Sequence, residues 1–208
     1  MMILLTAGMV PVMAQMNSND DMQTLFGNDP SIGVFLGFGS KMSSFNKEAG
    51  MMLGGELAMT FGHSFNIGVH GYGLVNEARS VNTDEFGNDL YYTIGYGGLT
   101  LEPVFFSKRA VHFSVPVLIG AGGVGESRYP LMDPDYIDQE LDGFDGFYRT
   151  DFFFYVEPGV NAEVNLMKFV RLYAGVSYRL AYDIDLPQTS DANMSSLGVN
   201  LGLRVGVF

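Results

Sequence analysis

His112 and Ser114 stand two residues apart, so on an extended strand both side chains leave the same face. With a carboxylate beside them, Glu102 being the candidate, they would form a His–Ser–Glu set. Such a set can turn a serine hydroxyl into a nucleophile. A match this short also arises by chance, and its meaning depends on which face of which element carries it.

A second group of candidate residues is acidic. Asp133, Asp135, Asp138, Glu140, Asp142 and Asp145 fall within one connection. Asp138-Gln-Glu-Leu-Asp-Gly143 begins like a calcium-binding EF-hand loop. Its twelfth position is Arg149, so the bidentate glutamate is missing. A weak divalent-cation site and a solvated, self-repelling loop are the two readings. Tyr129, Tyr136, Phe144, Phe147 and Tyr148 lie among these acids, either to anchor a partner or to pack the loop against the body beneath it.

Composition narrows the chemistry. The chain has 208 residues, a net charge of -12 and no cysteine. Thiolate metal sites, cysteine nucleophiles, disulfides and a lipoprotein anchor are excluded. The negative charge argues against nucleic acid as a partner, and no cofactor is expected. Glycine at 27 residues, with 17 Phe and 11 Tyr, suits strands and tight turns better than helices. Met1 to Met13 is almost wholly apolar, and Val12-Met13-Ala14 has the small-x-small form of a signal-peptide cleavage site. No Lys or Arg precedes that apolar run, a departure from the usual pattern. The expected organisation is a signal peptide over 1–15, a flexible lead-in over 16–30 and one folded domain over 31–208.

The elements that position the candidates recur with a period of two. Alternating segments fall at 31–40, 51–61, 65–76, 91–105, 111–123, 152–166, 170–183 and 196–208. Each is long enough to cross a bilayer as a tilted strand, which takes roughly 9–11 residues. Gly62-His63-Ser64, Ser107 to Ala110 and Met167-Lys168-Phe169 are short connections, whereas 41–50, 77–90, 124–151 and 184–195 are long and polar. Short turns on one side and long loops on the other describe an all-β, closed, antiparallel up-and-down transmembrane barrel of eight strands, with the short turns periplasmic.

A soluble lipocalin-like binding barrel has similar strands, so the contents of each strand row decide between lipid and water. Val160, Val176 and Leu201 belong to long unbroken apolar rows; Glu157, Asn161, Arg179 and Asn200 belong to rows of small and polar residues with few charges. A water-facing surface carries more lysine and glutamate than that. The apolar row is therefore placed against lipid and the polar row in the lumen. Inward charges are expected to pair: Glu157 opposite Arg179, Glu163 diagonal to Arg171, Glu56 facing His70, Glu102 near His112 and Ser114, with Arg204 in the same network. Tyr91, Tyr92, Phe105, Phe106, Phe152, Phe169 and Tyr182 are expected to form interfacial girdles. Bulges are expected at Pro116, Pro158 and Gly97-Gly98.

Three stretches resemble small outer-membrane β-barrel proteins of Bacteroidetes-type bacteria, an OmpA-like eight-stranded group. They are Gly98-Leu-Thr-Leu-Glu-Pro-Val-Phe-Phe106, Val115-Pro-Val-Leu-Ile-Gly-Ala-Gly122, and Tyr155-Val-Glu-Pro-Gly-Val-Asn-Ala-Glu163 running into Arg171-Leu-Tyr-Ala-Gly-Val-Ser-Tyr-Arg179. The resemblance implies a fold and a location rather than a reaction. His112-x-Ser114 is similar to the motif of outer-membrane lipid A deacylases, but here it lies on the lumen face near the short turns, away from lipid. Phe208 resembles the terminal aromatic read by the barrel-assembly machinery, although the apolar row falls on Val207, Val205 and Leu203. The leading expectation is a non-catalytic barrel with a filled lumen and a structural or surface-interaction role. A narrow pore for small solutes and a lipid-modifying hydrolase are the alternatives. Expected partners are outer-membrane lipid and lipopolysaccharide, the assembly machinery, and an extracellular partner of loop 124–151.

Overall fold

The computed structural model describes residues 31–129 and 147–208. The expected signal peptide and lead-in lie outside the described residues, as do Tyr136, Phe144 and the candidate cation ligands Asp133, Asp135, Asp138, Glu140 and Asp142. The strands are β1 Ile32–Phe45, β2 Glu48–Phe61, β3 Phe65–Leu74, β4 Arg79–Thr83, β5 Asp89–Phe105, β6 Val111–Ser114, β7 Val117–Ser127, β8 Phe147–Met167, β9 Val170–Tyr182 and β10 Ser196–Gly206. β6 and β7 are two halves of one wall strand, and β4 is an arm paired to the outer end of β5. The remaining connectivity follows chain order, and β1 closes the ring on β10 from Phe35↔Gly206 to Met42↔Val199. Each wall strand of the ring thus has a neighbour on both sides, which a bilayer demands of a β-structure.

The faces separate as alternation requires. Val160, Val176 and Leu201 are 51%, 48% and 53% exposed, while Glu157 and Arg179 are each 1% exposed. Apolar side chains cover the outside, and carboxylates, guanidinium groups and amides fill the inside. That is the reverse of a soluble lipocalin-like barrel, so the soluble alternative is corrected here.

Several local expectations need correction. The connection 41–50 is not a long loop. β1 and β2 run on to a two-residue hairpin at Asn46-Lys47, where φ is 48° and 73°. Two central residues with positive φ match the right-handed twist of the flanking strands. The expected bulges are also absent. β5 keeps one register against β3 and β7 through Gly97-Gly98, and β6 and β7 keep one register against β8 on either side of Pro116. A proline deletes a ladder donor but adds no residue, so pairing lapses locally without slipping. The register irregularities lie instead at Asn165/Met167, Glu126/Ser127 and Arg79/Thr83, where strands meet turns or loops. Tyr92 is buried in the lumen rather than part of a girdle; Phe105, Phe106, Phe169 and Tyr182 are exposed at strand ends, and Phe152 is exposed within β8.

Candidate functional site

The lumen is the candidate site, because strand alternation sends most of the polar residues of the wall into it. Toward the short-turn end, three carboxylates converge on one guanidinium. Arg204 Nη1 lies 2.6 Å from Glu163 Oε1 and 3.0 Å from Glu102 Oε2, and Nη2 donates to Glu102 Oε1 at 3.0 Å and Glu56 Oε2 at 3.1 Å. These residues come from β2, β5, β8 and β10, so one side chain ties together walls far apart in sequence. Asn66 Nδ2 donates to Glu102 Oε2 at 2.8 Å, and His112 Nε2 stands 3.0 Å from Glu163 Oε2.

A second layer lies toward the long-loop end. Lys41 Nζ meets Glu157 Oε1 at 2.5 Å and donates to Tyr96 Oη at 3.1 Å. Ser177 Oγ donates to the same Glu157 oxygen at 2.5 Å. Lys41 also sits 4.3 Å from the centre of the Tyr72 ring, a cation–π contact. In these two layers four cations, Lys41, Arg171, Arg179 and Arg204, stand among four carboxylates, Glu56, Glu102, Glu157 and Glu163, while the buried Glu126 farther out has Arg149 at 3.6 Å. Buried ions are tolerated when they have such partners.

The sequence-derived pairs are brought near each other but bond differently. The register places Glu157 across from Arg179, yet Lys41 takes Glu157. Arg179 instead donates to Met194 O at 3.0 Å, and to Ser44 O and Ser196 Oγ at 3.2 Å. Glu56 and His70 are cross-strand partners, yet Glu56 goes to Arg204, and His70 bonds Thr100 Oγ1 and Tyr155 Oη at 2.9 and 2.5 Å. Glu163 is 3.8 Å from Arg171. Lys41 was missed because the polar run after Ser40 reads as a loop. Its signal was parity, since it continues the inward row Phe35, Gly37, Gly39.

The hydrolase arrangement is not formed. His112 Nε2 turns to Glu163, while Ser114 Oγ lies 2.6 Å from Glu102 Oε1 and 2.7 Å from Glu163 Oε1. Ser114 is also fully buried. Among the described residues Ser114 thus hydrogen-bonds two carboxylates rather than His112.

Between the two layers is a cavity of about 30 Å3, lined among others by Lys41, Glu56, His70, Asn161, Asn200 and Arg204. It has room for ordered water and little else. A Cβ at Gly39 would collide with the Tyr173 hydroxyl and one at Gly202 with the Tyr173 ring, so glycine there is what lets a tyrosine cross the lumen. The outer end is closed as well. Met194, in a helical turn at Asp191–Met194, is buried with Leu186 against Tyr92, Phe153 and Phe45. Asn46 N donates to Asn193 O at 2.7 Å, and Asn82 Nδ2 donates to Pro187 O at 2.8 Å. Phe208 turns its ring inward, 5.3 Å from that of Phe35 and 3.8 Å beneath the Arg171 guanidinium.

The chain matches no protein-family model and no curated protein sequence. Among solved structures it is similar to neisserial surface protein A, with a TM-score of 0.53 and 15% identity over 84% of this chain and 96% of that one. The fold is that of a small outer-membrane β-barrel. Similarity extends to Ail, the attachment invasion locus protein of Yersinia pestis (TM-score 0.43, 12% identity, 86% of this chain and 99% of that one). It also extends to the outer membrane protein OprG from Pseudomonas aeruginosa (TM-score 0.45, 10% identity, 88% and 97%).

Proposed function

We propose that this protein is a non-catalytic integral outer-membrane barrel, plugged by its own side chains, that acts in envelope structure or at the cell surface through its acidic outer loops. One observation carries the reading. The Arg204 layer, the Lys41–Glu157 layer and the Met194 cap leave a mid-lumen space of only about 30 Å3. A barrel of eight strands is just wide enough for its interior to be filled in this way. The finer assignment, to the small barrels of Bacteroidetes-type bacteria, rests on the three sequence stretches around Glu102, Pro116 and Glu157. Outer-membrane lipid and lipopolysaccharide are the proposed surroundings of the apolar band. Divalent cations would bridge the acids of loop 124–151 to anionic sugar-lipid, and the loop's aromatics would meet an extracellular partner. Recognition of Phe208 by the barrel-assembly machinery would occur before its ring packs inward.

Planar-bilayer recording of the refolded protein tests the plugged lumen. No stepwise ion current is expected from single barrels. Stable, reproducible steps would favour the narrow-pore alternative and overturn this reading.

A further inference from the structure

The short-turn mouth of the barrel differs from the rest of this acidic molecule. Its three connections, at 62–64, 106–110 and 168–169, carry Lys108, Arg109, Lys168 and His63 and no Asp or Glu. A cavity of about 380 Å3 opens there, lined by His63, Ser107, Lys108, Asn165, Lys168 and Arg171, with the ring of Phe208 on one side and the Phe208 main-chain oxygen occupied by His63.

Arg171 distinguishes this cavity from a patch of surface lysines. It is 4% exposed, and its Nε and Nη1 have no hydrogen-bond acceptor. The Glu163 carboxylate lies 3.8 Å from Nη1, beyond bonding distance, and is already held by Arg204, His112 and Ser114. The guanidinium carbon also lies 3.8 Å from the centre of the Phe208 ring, a cation–π contact. Buried N–H groups without acceptors are costly, and an anion that supplies oxygens recovers that cost. His63 is otherwise engaged, donating from Nδ1 to Phe208 O at 2.6 Å.

We infer that the short-turn mouth is a binding site for a phosphate group, held by the Arg171 guanidinium with Lys108 and Lys168 on the rim. Three cations and the Ser107 hydroxyl offer more donors than one carboxylate accepts, whereas a phosphate presents several oxygens and up to two charges. A phospholipid head group and a soluble phosphate share this chemistry.

The test follows the Arg171 Nε–H resonance by NMR in phosphate-free zwitterionic micelles at constant ionic strength. Titrating inorganic phosphate is expected to shift it saturably. The exposed double substitution Lys108→Gln with Lys168→Gln is expected to weaken binding at least about ten-fold, or roughly 1.4 kcal/mol. Nanodiscs of phosphatidylglycerol in phosphate-free buffer separate the sources. A shift already present there and unchanged by added phosphate assigns the lipid head group, and a shift that appears only on adding phosphate assigns a soluble ligand. Absence of a saturable shift in micelles, or equal binding by the double variant, overturns the proposal.

Discussion

Replacing Arg204 with methionine is expected to destabilise the barrel by at least about 3–5 kcal/mol, the usual cost of removing one partner from a buried ion pair. Here the loss is compounded. Arg204 lies within 3.1 Å of three carboxylates, from Glu56, Glu102 and Glu163. Without it they face one another across a narrow lumen with room for little more than ordered water, with Arg171 3.8 Å from Glu163 as the remaining guanidinium nearby. Methionine fills most of the volume, so the effect isolates charge rather than packing. Equilibrium unfolding in urea, from phospholipid vesicles, reads it directly. Adding Glu102→Gln removes the carboxylate that both Arg204 Nη atoms hold and is expected to restore part of the loss. A single variant as stable as the parent would mean that the network does not hold the lumen together.

Leu201→Arg is expected to cost about 2–4 kcal/mol in the same measurement, the penalty for a cation at the bilayer midplane of a barrel. Leu201 is the middle member of the outward row Leu197, Val199, Leu201, Leu203 and Val205, all of them at least 36% exposed. In a water-soluble barrel the same exposed position would tolerate arginine within about 0.5 kcal/mol. The two environments therefore predict effects several-fold apart at one residue.

The wall was legible because two chemistries alternate along it. In 152–166, 170–183 and 196–208 the apolar and polar rows are cleanly separated, and those segments form strands with the faces assigned from sequence. The same logic failed at the outer half of β1. Lys41 and Ser43 are polar because they face the lumen just before a turn, and a polar inward row is indistinguishable from a loop when the outward row is short. Charge pairing was legible only to nearest strands. Register set Glu157 beside Arg179 and Glu56 beside His70, but long side chains reach across a narrow lumen. Lys41 therefore arrives from 116 positions away, and Arg204 reaches Glu56 across 148. Such contacts depend on closure and stagger of the whole ring, which no local pattern encodes. The prolines misled for a simpler reason, since a missing donor was read as an inserted residue.

The orientation of the two faces can be measured with almost no background, because the chain contains no tryptophan. Phe153 and Phe154 are consecutive on β8, at one depth and on opposite faces, 1% and 61% exposed. Each is replaced singly by tryptophan, and the protein is refolded into vesicles with or without brominated acyl chains. Strong quenching of Phe154→Trp by the brominated lipid, with Phe153→Trp nearly unaffected, is the expected result. Stronger quenching at 153 than at 154, or none at either position, would contradict a barrel that turns its apolar row to hydrocarbon.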